Sequence, residues 1–261
     1  MSAAALVLLA AGSGSRTGHA TNKVFLPLAG RSVLTWSLDH TASMPQIEAV
    51  VLVVRDDEMA AARAVLRRES PDRDVRVVPG GPTRHGSEWN ALRSLQGDIR
   101  SGAVDVVVVH DAARPLSGRA LFLDVVRVAR AHGGAVPGIR LRGLLGADLR
   151  PSALDGVTVQ TPQAFRAKAL LAAHEEAQRT GFEGTDTAAC LERFGTERFG
   201  TERFGPQGSG TERLGDEVVV RLLPGSASNI KITFPGDLLL AEALLARTSY
   251  PERGAQASGS A

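Results

Sequence analysis

The sequence holds a single cysteine, Cys190, which excludes an intrachain disulfide framework and any thiolate-rich metal site. Aromatic residues make up only 4% of the chain, so a core has to be assembled from Ala, Val, Leu and Ile, and the 43% apolar content supplies them. No apolar run reaches the ~18 residues of a membrane-spanning helix. Long runs of like charge are also missing, and 30 basic against 28 acidic residues leave a net charge of +2. That balance excludes a strongly basic nucleic-acid-binding arm and an acidic solvating tail. The first residues, MSAAALVLLAAGSGSR, are as apolar as a short signal segment. They lack its basic leader and run straight into a Gly-patterned loop, so they read as a first strand. The default expectation is a cytoplasmic protein with neither nucleic acid nor membrane as partner.

Lysine is scarce as well: only Lys23, Lys168 and Lys231 stand against 27 arginines. Such a bias commonly reflects coding composition. Where lysine persists against it, a compact ammonium is a reason to look closer, because a planar guanidinium does not replace it.

The rest of the chain alternates short apolar runs with amphipathic stretches. Ala3–Ala10, Ala49–Val54, Val75–Val78 and Val104–Val109 read as buried strands, rich in Val and bounded by Gly, Pro or charge. Between and after them, Ser32–Thr41, Asp57–Glu69, Gly86–Gln96 and Gly118–His132 read as helices. The repeated strand–helix order predicts an α/β fold, a mostly parallel sheet sandwiched by helices. Gly133–Pro137 adds a strand, and 138–158 has no clear period and reads as an extended arm. Thr161–Pro162 predicts a helix start, with Thr as N-cap, running to about Arg179. Val218–Leu223 and Asn229–Thr233 read as strands and Pro235–Arg247 as a last helix. Residues 1–249 therefore read as one domain and 250–261 as a disordered tail. Glu192–Gly215 is anomalous: ERFGT-ERFGT-ERFG-PQGSG-TERLG repeats every five residues, a period of neither helix nor strand. It reads as a low-complexity insertion, 194–216, in a surface loop.

Two places carry chemistry. After the first strand comes Ala10-Ala11-Gly12-Ser13-Gly14-Ser15-Arg16. Glycines there permit a tight turn and close backbone approach, and successive N–H groups at a strand-to-helix turn cradle phosphate. The Walker pattern fails because Gly18 is followed by His19, and the dinucleotide fingerprint fails because Thr17 stands at its third glycine. What remains is Gly-x-Gly-x-Arg with Lys23 seven residues beyond Arg16: either a purely structural turn or a polyphosphate site. The second place is His110-Asp111-Ala112-Ala113-Arg114-Pro115, at the end of the strand 104–109. Ligands of open α/β sheets sit beyond the carboxyl ends of strands. Asp111 is then placed to hold a hydroxyl or a metal-bound phosphate, and Arg114 to bind phosphate bidentately. The plainer alternative is a loop carboxylate paired with its neighbouring arginine.

In chain order, AAGSGSR at 10–16, Lys23 with the following VFLPL, GGPTRHGS at 80–87, HDAARP at 110–115, VQTPQAF at 159–165, TD at 185–186 and NIKIT at 229–233 resemble the 2-C-methyl-D-erythritol 4-phosphate cytidylyltransferase family of the non-mevalonate isoprenoid pathway. The resemblance spans roughly residues 3–248 outside the repeat. It implies a nucleotide-diphospho-sugar-transferase-like fold with a protruding β-arm, 138–158, serving dimerisation and substrate, and a homodimer. It implies CTP and a polyol phosphate as substrates and Mg²⁺ as cofactor, with Asp111 the one possible protein ligand. By resemblance, Arg16 and Lys23 are catalytic. Ala10, Ala11, Gly12, Ser13, Gly14, Gly81 and Ser87 frame the nucleotide, and Asp111, Arg114, Thr161 and Lys231 hold the second substrate. Lys168 reads as a solvated surface charge.

The chain departs from the family pattern at four points. Asn22 stands where the family has Pro before its Lys. The arm reads Ile139-Arg140-Leu141-Arg142-Gly143-Leu144 where an Asp-Thr pair is expected. The arm arginine before QTPQ has no clear match, and Thr187 replaces an acidic residue after Thr185-Asp186. The altered arm keeps open a cytidylyltransferase for another polyol phosphate, such as ribitol 5-phosphate. A nucleotide-binding regulatory protein without turnover is the reading from a different class, and Arg16 and Lys23 argue against it. The repeat yields the first prediction. Loop closure depends weakly on length, so deleting Thr196 to Gly210 is expected to leave catalytic rate and melting temperature nearly unchanged. A large loss of either would show that the repeat packs on the domain or on a partner.

Overall fold

The computed structural model describes residues 3–12, 21–143, 150, 156–194 and 219–249. Ser13, Gly14 and Arg16, the repeat from 195 onward, and the tail 250–261 lie outside the described residues, and so do 144–149 and 151–155 of the arm. The elements in order are β1 (Ala3–Leu9), a 3₁₀ turn (Lys23–Phe25), β2 (Pro27–Leu28), β3 (Arg31–Ser32), α1 (Val33–Asp39) and β4 (Ile47–Val54). A second 3₁₀ turn (Asp56–Glu58) leads to α2 (Met59–Glu69), β5 (Arg76–Pro79), α3 (Arg84–Ser101), β6 (Val104–Asp111) and α4 (Arg119–His132). Then come β7 (Gly133–Arg140), β8 (Val157–Val159), β9 (Gln163–Arg166), α5 (Ala167–Thr180), α6 (Thr187–Phe194), β10 (Val219–Pro224) and α7 (Pro235–Ser249).

One sheet runs β10-β7-β9-β6-β1-β4-β5, with β8 paired to β7. β1 lies parallel to both β4 and β6, β4 parallel to β5, and β7 parallel to β10. β9 is antiparallel to both its neighbours. The Val-rich strands are apolar on both faces because both faces are covered. Along β1, Ala4, Leu6 and Leu8 pack with α1, α2 and α4, while Ala5 and Val7 pack with α3, α5 and α6. Leu92, Leu95 and Ile99 of α3 are almost wholly buried on that second face. Each such side chain contributes about 1.5–3 kcal/mol relative to exposure. Thr83 starts α3 by accepting the Gly86 N–H at 3.1 Å, and Gly102, at φ 82°, ends it in the left-handed region.

The chain crosses from β5 at one edge, through α3, to β6 on the far side of β1. The strand order thus reverses beside β1, the position at which open α/β sheets leave a crevice. β8 returns along β7 with Gly138 opposite Val159 and Arg140 opposite Val157, forming the two-stranded arm. Leu141 and Val159 on it are exposed.

Two expectations are corrected. Thr161 is not a helix N-cap: the Thr161–Pro162 bond is cis, and residues 163–166 form β9, whose backbone is claimed by β6 and β7 on either side. The helix starts only at Ala167. Asn229–Thr233 is not a strand, because its backbone partners belong to loops. Asn229 O accepts from Arg114 at 2.7 Å, and Ile232 N–H donates to Ala113 O at 2.8 Å. The hairpin β2–β3 and helix α6 had not been anticipated. The first three residues of the repeat, Glu192 to Phe194, close α6. Lys168 is exposed, as expected.

At the end of β6 a short relay fixes the backbone. The Asp111 N–H donates to Thr161 Oγ1 at 3.0 Å, and that hydroxyl reaches His110 Nδ1 at 3.0 Å. The other nitrogen of His110 lies 3.2 Å from Arg114 O. His110 is fully buried, edge-on to Phe122. Burial pushes its imidazole down from 6.5 to about 3. The folded chain thus keeps it neutral, whereas the unfolded chain takes up a proton below pH 6.5. Its contribution is complete above pH 6.5 and is lost as pH falls from 6.5 toward 3. Urea unfolding at pH 7 and pH 5 is expected to show the native chain losing about 1–2 kcal/mol more than His110→Asn. Equal losses would mean that His110 is not held neutral.

Candidate active site

A cavity of about 520 Å³ opens at the carboxyl ends of β1, β4 and β6. Its wall contains Ala10, Ala11, Gly12, Lys23, Gly81, Ser87, Asp111 and Lys231, so residues singled out from five motifs share one crevice. Arg114 and Thr161 stand behind Asp111 and do not line the cavity. The Thr161 hydroxyl is occupied by the relay just described, and Arg114 Nε lies 3.6 Å from Asp111 Oδ2. The wall also holds Asn22, which the sequence marks only as a departure from the family pattern, and Arg55, Pro82, Thr83, Arg84 and Thr233, which it does not single out. Arg84 sits inside a quoted motif, but among 27 arginines nothing marked it out.

Asp111 is the electrostatic centre. Lys231 Nζ approaches Oδ2 at 2.8 Å, and Arg84 approaches Oδ1 at 3.7 Å. Burial alone would favour the neutral acid; Lys231 and Arg84, with Arg114, outweigh it and hold the carboxyl well below the usual range. Arg84 is itself tied to Glu88 and donates to Thr187 Oγ1 at 3.1 Å. Thr187 thus fills, with a hydroxyl, the place where an acidic side chain was expected, and its own hydroxyl donates to Glu88 at 2.8 Å.

The glycine pair after β5 forms the opposite wall. A Cβ on Gly81 would come within 2.6 Å of the Gly86 carbonyl carbon, so only glycine lets loop and helix start lie so close. Ser87 staples the same turn: its hydroxyl accepts from Gly81 N–H at 3.1 Å and donates to Thr83 O at 2.9 Å.

Lys23 opens the 3₁₀ turn that Asn22 caps. Asn22 is nearly buried, and its amide donates to Ala10 O and to Glu58 Oε2, both at 2.9 Å. Its side-chain oxygen accepts from Val24 N–H at 3.3 Å. Glu58 in turn meets Arg55, another cavity residue, at 2.9 Å. Asn22 therefore anchors the segment bearing Lys23 to the end of β1 and to the turn after β4.

A profile of the 2-C-methyl-D-erythritol 4-phosphate cytidylyltransferases matches residues 4–198. The chain belongs to that family. A cytidylyltransferase of this name from Acidobacterium capsulatum is 33% identical over 259 residues, covering 94% of this chain and 98% of that one. Another from Desulforamulus reducens is 32% identical, covering 92% and 95%. Among solved structures, the 4-diphosphocytidyl-2C-methyl-D-erythritol synthase of Anaerococcus prevotii superposes with a TM-score of 0.72 at 26% identity, covering 94% of this chain and 97% of that one.

The Asn22 anchor is testable. Asn22→Ala strands the Ala10 carbonyl, one Glu58 oxygen and the Val24 N–H, and is expected to cost about 1–3 kcal/mol in urea unfolding. Asn22→Asp sets a second carboxylate against Glu58. It is expected to be at least as destabilised as the alanine variant at pH 7, and to recover relative to it at pH 4. No difference between the two pH values would remove Glu58 from the account.

Proposed function

We propose that this cytidylyltransferase transfers CMP from CTP to 2-C-methyl-D-erythritol 4-phosphate, giving 4-diphosphocytidyl-2-C-methyl-D-erythritol and pyrophosphate. The observation that carries the reading is the convergence of Lys23, Arg55, Arg84 and Lys231 on one cavity at the point where strand order reverses, with Asp111 as its only carboxylate among the described residues. Excess positive charge in a concave site suits a triphosphate and a phosphate monoester together.

The chemistry asks little else of the protein. A phosphate monoester has a second pKa near ~6, so the attacking oxygen is already anionic and no general base is required. No histidine is among the described residues lining the cavity. Attack on the α-phosphorus releases pyrophosphate, and what remains for the protein is alignment and neutralisation of growing negative charge. Lys23, on the β1 side, is assigned to the α-phosphate, and Arg16 is assigned to the same charge. Ala10, Ala11, Gly12, Ser13 and Gly14, with the wall at Gly81 and Ser87, frame the nucleotide. Lys231 and Asp111 face the second substrate, with Arg114 and Thr161 fixing Asp111 from behind. Mg²⁺ prefers oxygen ligands and keeps few protein ones. A single carboxylate already engaged by three cations suits an ion carried mainly by the triphosphate, where it adds charge neutralisation. The homodimer, with the arm at its interface, and a cytoplasmic setting belong to the same proposal. No helix among the described residues is long and apolar enough to cross a membrane.

Pyrophosphate release is to be measured with each of the four NTPs and a panel of polyol phosphates. CTP with methylerythritol phosphate is expected to be the productive pair, with a raised KM for the sugar phosphate because the arm lacks Asp-Thr. Faster turnover of ribitol 5-phosphate would replace the substrate, and no turnover with any pair would overturn the reading. Lys23→Ala is expected to lower kcat by roughly 10²–10³, with CTP binding changed far less. Near-normal turnover would take Lys23 out of the mechanism.

A further inference from the structure

Beside Arg84, between α3, α5 and α6, polar side chains come together inside the apolar layer. They are His85 and Glu88 of α3, His174 of α5 and Cys190 of α6, and none is more than 5% exposed. The donor atoms of His85, His174 and Cys190 all lie within 4.8 Å of one another. The imidazoles of His85 and His174 stack at 4.7 Å between centroids. Glu88 turns one oxygen to Arg84 and Thr187. Its other oxygen has no hydrogen-bond partner and lies 3.5 Å from His174 Nε2.

The cluster is short of partners. Neither ring nitrogen of His174 has a hydrogen bond, nor has Nε2 of His85. Buried polar atoms are ordinarily paired, so four such atoms at one spot call for an explanation. The contact that does exist is between Cys190 Sγ and His85 Nδ1 at 3.4 Å. Burial and the nearby Glu88 and Asp186 push the thiol up to about 12, so without an ion it stays protonated.

We infer that His85, His174, Cys190 and Glu88 form a structural site for a zinc-like divalent transition ion. Two imidazoles, a thiolate and a carboxylate are the donor types of tetrahedral zinc. With Zn–S near ~2.3 Å and Zn–N near ~2.0–2.1 Å, the sulfur–nitrogen edge of such a tetrahedron is about 3.5 Å, which the Cys190–His85 pair already matches. The stacked rings do not yet point at a common centre. His174, which no hydrogen bond holds, turns about its Cβ–Cγ torsion, a broad one. Binding exchanges the Cys190 thiol proton, released to solvent, for the metal–sulfur bond. The ion would clasp α3, α5 and α6 together beside Arg84. It is distinct from Mg²⁺, which takes oxygen donors, and the inference does not depend on the catalytic reading.

The test uses the full chain without a histidine tag, stripped with a chelator and titrated with Co²⁺. One Co²⁺ per chain is expected, with a thiolate-to-cobalt charge-transfer band and the intense visible bands of a tetrahedral centre, all displaced by Zn²⁺. Zn²⁺ is expected to raise the melting temperature of the native chain by several degrees. Cys190→Ser should lose the charge-transfer band, His174→Gln should weaken Zn²⁺ binding by at least about tenfold, and neither should keep the full melting shift. A native chain that binds less than one ion or shows no charge-transfer band overturns the inference. Binding as tight in His174→Gln as in the native chain overturns it too, by placing the ion elsewhere. The measurement on the native chain decides the matter even if a variant does not fold.

Discussion

A buried carboxylate with three cations against it organises the working end of this molecule. Asp111 ends the central strand β6, and its partners come from three separate stretches: Arg84 at the start of α3, Arg114 in its own loop and Lys231 near the C-terminal helix. Removing one member of a buried ion pair leaves an uncompensated charge, a cost that water lessens at Lys231, whose side chain is 40% exposed. The four groups therefore hold one another in place, and with them the three segments that enclose the cavity. The His110–Thr161 relay fixes the backbone from which Asp111 projects, so the geometry of the hub is inherited from the sheet.

The sheet supplies the rest. Strand order reverses beside β1, the position at which open α/β sheets leave space for a ligand. Each wall is then held by a polar side chain facing inward: Asn22 on the β1 side, and Ser87 with the close-packed glycines on the α3 side. The cavity is thus shaped by groups whose hydrogen bonds are spent on the protein, while Lys23, Arg55, Arg84 and Lys231 bring positive charge to its wall.

What could be read in advance follows from how local each signal was. β1, β4 and β6 were legible because both their faces are buried and their runs of Val and Leu are unbroken. Lys23, Asp111 and Lys231 were legible because each sits in a compact motif. β9 was not, since Thr-Pro resembles a helix start and only the flanking strands β6 and β7 make the next four residues extended. Asn229–Thr233 misled in the opposite direction: its alternating Ile230 and Ile232 suit a strand, but the backbone partners are loops. Asn22 registered only as a departure from the family's proline, because its partners Ala10 and Glu58 lie 12 and 36 residues away. The His85–His174–Cys190 cluster was invisible for the same reason, its members standing on three separate helices with Cys190 105 residues from His85.

The separation between Asp111 and Lys231 has a consequence for the newborn chain. At about 5–20 residues per second, the 120 residues from Ala112 to Lys231 take roughly 6–24 s to synthesise. During that interval β1 to β6 and α3 can assemble, because their contacts are already available, and Asp111 has Arg84 and Arg114 beside it but no ammonium. The segment 229–233 also brings the backbone that closes over Ala113 and Arg114. Until it arrives the carboxylate stays open to water. Assembly of this end is therefore expected to be vectorial: the β1 and β6 side of the cavity can form early in translation, and Lys231 is the last of the hub to be delivered.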